Sequence, residues 1–198
     1  MSVVEYIYTL RQQKRRIASI PPAVLRHERN VLECTILLVK SLDLSSADTI
    51  DLMDAALHHD IGKVSIPPDI LFKQGQLTDE ERLIIQRHPD IGASSKLLPS
   101  TVSARAREAI RSHHERWDGT GYPRGLAGDQ IHLFAQILAV MDVYEAMTSC
   151  ERTYREPVSH LEALDELERC AGSQFSPLIV QQTIKVFRHQ SPLLLAAG

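Results

Sequence analysis

The stretch SADTIDLMDAALHHDIG, residues 46–62, puts a histidine and an aspartate at the end of an otherwise apolar helical stripe. Ser46 predicts an N-cap and Gly62 an exit, with a helix running between them to about Ile61. On that helix Leu52, Ala56 and His59 fall at i, i+4 and i+7, while Met53, Leu57 and Asp60 form the neighbouring stripe. His59 and Asp60 therefore extend the buried face instead of interrupting it from the solvent side. A single buried imidazole is ordinary and needs one hydrogen bond. A buried carboxylate without a partner is expensive, so Asp60 demands a compensating charge.

Working outward, the periodicity stays helical. Val31, Thr35, Leu38 and Leu42 recur at helical spacing before this segment. After it, Thr78-Asp79-Glu80-Glu81 forms a capping box for a helix that Pro89 ends. A further helix runs from about Thr101 to His114, and a long one covers roughly Ile131 to Ser149. Ser159 with Glu162 makes a second capping box, whose helix stops at Gly172, and Ser176-Pro177 opens the last helix. Val3 to Thr9 has strand-like content but no partner to pair with. These elements predict an all-α, single-domain helical bundle over residues 21–198, preceded by a leader or short helix in residues 1–20.

Composition narrows the function. The chain has 198 residues, 43% of them hydrophobic, and a formal net charge of -3, which argues against sequence-independent binding to a nucleic-acid polymer. Cys34, Cys150 and Cys170 are widely spaced and read as reduced thiols. The basic run near the N-terminus follows the apolar residues, unlike a signal peptide, and nothing approaches the ~18 apolar residues of a membrane span. A cytoplasmic location is the expectation. Nine histidines are the anomaly.

Several of them point inward. Val102, Ala106, Ala109 and His113 share a helical face, with Ile110 stacked on His114. Ala135, Leu138, Asp142 and Glu145 share another, and Ile84 and His88 close the capping-box helix in the same way. Any one of these histidines also reads as a core residue with a satisfied hydrogen bond. Taken together, separate helices that each aim an imidazole or carboxylate inward offset their burial most simply by sharing cations. Nitrogen and carboxylate donors of this kind suit divalent iron, manganese, zinc or nickel. Just beyond His113 and His114 the helical pattern breaks in RSHHERWDGTGYPRGLAGDQ, residues 111–130, which holds four of the nine glycines. Glycines permit a tight wall over such a site and Pro123 stiffens it.

These residues resemble a known family. LHHDIGK at 57–63 resembles the signature of the HD metal-dependent phosphohydrolases. HPDIG at 88–92, HHERWDGTGYPRGLAGDQI at 113–131, AVMDVYEAMTS at 139–149 and the later ALDELERCAGSQFSP resemble its HD-GYP subfamily. The likeness spans roughly His27 to Val180. It implies packed helices around a two- or three-metal centre that hydrolyses cyclic di-GMP to the linear dinucleotide pGpG and, in many members, on to GMP. Carried over residue by residue, it implies metal ligands at His27, His59, Asp60, His88, His113, His114 and Asp142, with Asp60 bridging. Trinuclear members carry a glutamate where this chain has Ala23, so two ions, iron or manganese, are expected. His58, His132, His160 and His189 have no counterpart and are assigned packing or surface roles.

For substrate, the resemblance implies Gly121 and Tyr122 on the pocket wall and Arg152 and Arg155 on a second phosphate. Lys63 reads alone as a surface lysine favoured by a helix C-terminus; the resemblance assigns it, with Asp60, a catalytic role at the scissile phosphate. Trp117 is expected to pack the loop, and the Gly-Tyr-Pro loop is where the family is thought to meet diguanylate-cyclase-type proteins. The chain also departs from the pattern. Asn30 stands in place of an arginine, TSCERTYR has one extra residue and Thr153 for proline, and His132 and Gln136 replace a proline and an arginine. No departure removes a metal ligand. An active phosphodiesterase, a catalytically weak metal-bearing regulator that binds the nucleotide or a protein, and a hydrolase of a related cyclic dinucleotide or other phosphate ester are the readings this leaves.

Overall fold

The computed structural model describes residues 20–149 and 156–188. The apolar stripes become helices α1 (Pro22–Val39), α2 (Ser46–His58), α3 (Pro68–Leu71), α4 (Asp79–Ile85), α5 (His88–Ala93), α6 (Ala104–Ser112), α7 (Leu133–Thr148), α8 (His160–Arg169) and α9 (Pro177–Phe187). Short 3-10 turns occupy Ile61–Ser65 and Gly128–Gln130. Among the described residues, extended pairing is limited to isolated bridges such as Asp118 with Ala127. The fold is all-α, as expected.

Helix α2 is the central post: every residue from Asp51 to His58 is buried. It packs on α1, α6 and α7, and α8 and α9 close the far side against α7 and α1. The core runs through Leu32 and Leu38 of α1, Leu52 and Met53 of α2, Ile110 of α6, and Ile137, Leu138 and Met141 of α7. Leu164 and Phe187 extend it under α8 and α9. Both predicted capping boxes form, at Thr78/Glu81 and at Ser159/Glu162.

Several boundaries differ from the sequence expectation. Ser45, not Ser46, caps α2, its hydroxyl accepting from Asp48 N at 3.1 Å. The α-helix ends at His58 instead of near Ile61, because Asp60 turns to φ -98, ψ 4 and a 3-10 turn follows. Pro89 does not end the capping-box helix. That helix stops at Ile85, and Pro89 lies in the first turn of the next one, where a missing N–H is harmless. His88 thus opens α5 and does not close α4. Ser103, not Thr101, caps α6, and α1 stops at Val39, which leaves Leu42 half-buried beyond it. Ile20, at the end of the predicted leader, already belongs to the core. Residues 1–19, with Val3 to Thr9, lie outside the described residues, as do Cys150 and His189. Among the described residues no helix is long and apolar enough to cross a membrane.

Candidate metal centre

The 3-10 turn that follows α2 is held against α5 by a backbone contact that admits no side chain. A Cβ on Gly62 would lie 2.0 Å from His88 O and 2.7 Å from Gly92 N. This seam brings Asp60 within reach of His88: His88 Nε2 lies 3.3 Å from Asp60 Oδ1. On the other flank, α1 brings His27 Nε2 to 3.8 Å from Asp60 Oδ2 and 2.9 Å from Asp142 Oδ1 on α7.

Two groups of potential ligands result, His27 with His59 and Asp60, and His88 with His113 and His114. In each, the donor atoms lie within 4.8 Å of one another. Asp60 faces both. His59, Asp60, His88 and His113 are each only 1% exposed, so water does not compensate their polarity.

The hydrogen bonds fix which ring nitrogen is available. His59 Nδ1 donates to Ala56 O at 2.8 Å, His88 Nδ1 to Ile85 O at 2.7 Å and His113 Nδ1 to Ile110 O at 2.7 Å. A carbonyl oxygen only accepts, so each Nδ1 carries the hydrogen and each Nε2 turns inward. There His88 and His113 Nε2 approach to 3.4 Å, and His59 and His27 Nε2 to 3.3 Å. Asp60 Oδ1 is buried with no hydrogen bond directed at it. Turning so many donor atoms on one another is unfavourable unless a cation sits among them, and outer-shell carbonyl contacts of this type characterise metal-ligating histidines. The donor set fits divalent transition metals.

Electrostatics agree with that fit. Burial pushes His59 below its ordinary value, His113 far below and His114 to about 3, so these rings are neutral, the form in which an imidazole can ligate a metal. Burial also opposes charge on Asp60, but the Lys63 ammonium and the nearby imidazoles hold its carboxyl well below the usual range. Asp142 is held low in the same way, chiefly by His27. In the metal-free protein His27 rises to about 10, because hydrogen bonds to Asp142 and Glu145 outweigh its burial.

Beside the centre lies a cavity of about 310 Å³, whose lining includes His113, His114, Gly121, Tyr122, Asp142, Arg116 and Gln174. The Tyr122 ring stacks on His114 with centroids 4.9 Å apart. Gly121 is required there because a Cβ would meet Arg116 N at 2.3 Å and Glu115 Cα at 2.6 Å. The loop contains a cis Tyr122–Pro123 peptide.

All seven predicted ligands are therefore neighbours, and Gly121 and Tyr122 line the cavity. Lys63 sits on the centre itself, with Nζ 2.5 Å from Asp60 Oδ2. Arg152 and Arg155 lie outside the described residues. Trp117 is not among the cavity residues; its N–H donates to Gln174 O and its carbonyl accepts from Gly128 N, which ties the loop to the turn before α9. His58 donates to Asp54 O, His132 caps α7, and His160 bridges Tyr144 and Phe187 O.

Sequence reasoning missed the roles of three residues. Glu115, 3% exposed, accepts from Arg124 N at 2.8 Å and Leu126 N at 3.0 Å and so clasps the Gly-Tyr-Pro loop. Glu145 meets His27 Nδ1 at 2.5 Å, and Asn30, which replaces the expected arginine, donates to the same carboxylate at 2.9 Å. Glu145 shares a helical face with Asp142, which was the available signal.

Comparison with known proteins bears on this geometry. The HD domain family model matches residues 11–179. A probable cyclic di-GMP phosphodiesterase of Vibrio cholerae is 42% identical over 149 residues, covering 71% of this chain and 34% of its own length. A 3'3'-cGAMP-specific phosphodiesterase of the same organism is 38% identical over 158 residues, covering 79% of this chain and 34% of its own. The solved structure of an HDG"Y"P protein from Bdellovibrio bacteriovorus shares the fold, with a TM-score of 0.64 at 22% identity over 83% of this chain and 52% of that one. The chain spans about a third of the length of the curated relatives it matches. It belongs to the HD domain family, within the HD-GYP subfamily that its HHERWDGTGYP stretch resembles.

Proposed function

We propose that this protein is a metal-dependent phosphodiesterase that hydrolyses cyclic di-GMP to pGpG, with a second cleavage to GMP as the alternative end point. The observation that supports it most is the buried Asp60 carboxylate between two groups of inward-turned imidazoles, beside a cavity open enough for a phosphodiester. His27, His59, Asp60, His88, His113, His114 and Asp142 are the residues that would hold two divalent ions, iron or manganese by their donor chemistry. Bound there, the ions supply Lewis acidity, which polarises the phosphodiester and acidifies solvent to give a nucleophile near neutral pH.

The chain's own residues do the rest. Burial keeps His59, His113 and His114 neutral, and low-lying Asp60 and Asp142 stay ionised at neutral pH. His114 and Tyr122 form one wall for the substrate, and Gly121 sets the depth of that wall. Lys63 neutralises Asp60 and stands where its ammonium can turn to a phosphate oxygen. Arg152 and Arg155 are assigned to the second phosphate. In the reaction a water oxygen–phosphorus bond forms, the phosphorus–O3' bond breaks, and the water's proton ends on the 3' oxygen. The exposed outer face of the loop, at Arg124, Gly125, Ala127 and Asp129, is proposed as the contact for a diguanylate-cyclase-type protein. A cytoplasmic location fits the nucleotide substrate.

The departures around Arg152 and at His132 and Gln136 favour a second reading, a slow module that binds the nucleotide and regulates. The relatives named for 3'3'-cGAMP make that nucleotide the competing substrate. The test is turnover of both cyclic dinucleotides by protein loaded anaerobically with iron(II) or with manganese(II), beside Asp60→Ala. Cleavage of cyclic di-GMP, abolished by the substitution, is expected. Tight binding without cleavage would establish the regulator instead, and preferential cleavage of 3'3'-cGAMP would move the substrate assignment.

A further inference from the structure

His27 is oriented differently from its partners. The rings of His59, His88 and His113 are set by carbonyls three residues earlier in the chain, contacts confined to a single turn of backbone. The Nδ1 of His27 instead meets Glu145 on α7, 118 residues away. Glu145 is itself held: its second oxygen accepts from the Asn30 amide at 2.9 Å. Asn30 and His27 lie one turn apart on α1, so this helix grips both ends of one buried carboxylate.

Only a carboxylate satisfies that grip. Two donors, the imidazole N–H and the Asn30 amide, face two oxygens, and an amide in place of Glu145 offers one oxygen and sets its own N–H2 against the other donor. We infer that Glu145 is the positioning residue of the His27 half of the centre and that Asn30 fixes Glu145. Ion affinity at His27, His59 and Asp60 therefore depends on how α1 docks on α7, whereas affinity at His88, His113 and His114 does not. The inference rests on the metal-binding reading proposed above. It gives the two ions unequal roles: one is held by pre-set rings, and the other reports the integrity of a helix–helix contact.

Calorimetric titration of metal-stripped protein with manganese(II), paired with elemental analysis after gel filtration, tests this without any activity measurement. Wild type is expected to take up two equivalents. Glu145→Gln, nearly isosteric, is expected to retain the first unchanged and to bind the second roughly 10- to 100-fold more weakly, the usual effect of losing an outer-shell partner. Asn30→Ala, at a half-buried position, is expected to shift the same equivalent in the same direction by less. Two unchanged equivalents in both variants, or equal weakening of both equivalents, would overturn the inference. Wild type that binds no ion would overturn the metal reading itself, a failure visible before any variant is made.

Discussion

The two halves of the centre solve one problem by different means. Around His88 and His113 the rings are anchored to their own turns and buried, and α5, which carries His88, is seated on the turn at Gly62 through bare backbone. Around His27 the ring is part-exposed, at 14%, and lies between the carboxylates of Asp142 and Glu145, contributed from far along the chain. The first half is as rigid as local helix geometry. The second is as rigid as the packing of α1 on α7. Asp60, shared between them, makes the pair one device.

Substitutions separate these halves. The largest effect belongs to Asp60→Ala, which removes the shared carboxylate. Both ions are expected to be lost, and turnover to fall by more than the roughly 100- to 1,000-fold that removing a single stabilising donor costs. Metal content and steady-state rates measured together check this; retention of two ions would show that the halves are independent.

Gly62→Ala comes next. Its methyl group would collide with the backbone at His88, so α5 must move, at a cost of about 1–3 kcal/mol or more. Chemical denaturation reads the loss, and the His88 half is expected to lose metal affinity before the His27 half does. His113→Ala removes a ring 1% exposed and leaves a cavity, with an expected loss of about 2–4 kcal/mol in the metal-free protein. His27→Ala strips the Asp142 and Glu145 carboxylates of the imidazolium between them and is expected to cost the metal-free fold at least as much as His113→Ala; a smaller loss would contradict the charge pairing of the His27 half. The smallest effect is Ser159→Ala, which breaks the capping box of α8 for about 1 kcal/mol. Metal content is expected to be unaffected, since α8 packs on the far side of α7.

What the sequence disclosed follows the same division. Contacts within a helical turn were readable: the boxes at Thr78 and Ser159, the stripe that ends in His59 and Asp60, and the face shared by Ala106, Ala109 and His113. Proline at 89 misled because a proline can either stop a helix or open one, and only the chain direction after Arg87 decides between them. The roles of Glu115 and Glu145 escaped because their partners are the backbone of a folded loop and a histidine on a distant helix; periodicity put Glu145 on the face of Asp142 but named no partner for it. The pairing of the Lys63 ammonium with Asp60 was not legible, because it is set by the 3-10 turn that replaced the last turn of helix.

Anomalous diffraction from crystals of the protein loaded with manganese(II) tests the central claim most directly. The account predicts two peaks roughly 3.5–4 Å apart, one among His27, His59 and Asp60 and the other among His88, His113 and His114, with the Asp60 carboxylate between them. An absence of anomalous density at Asp60, or peaks only at surface carboxylates, would contradict it.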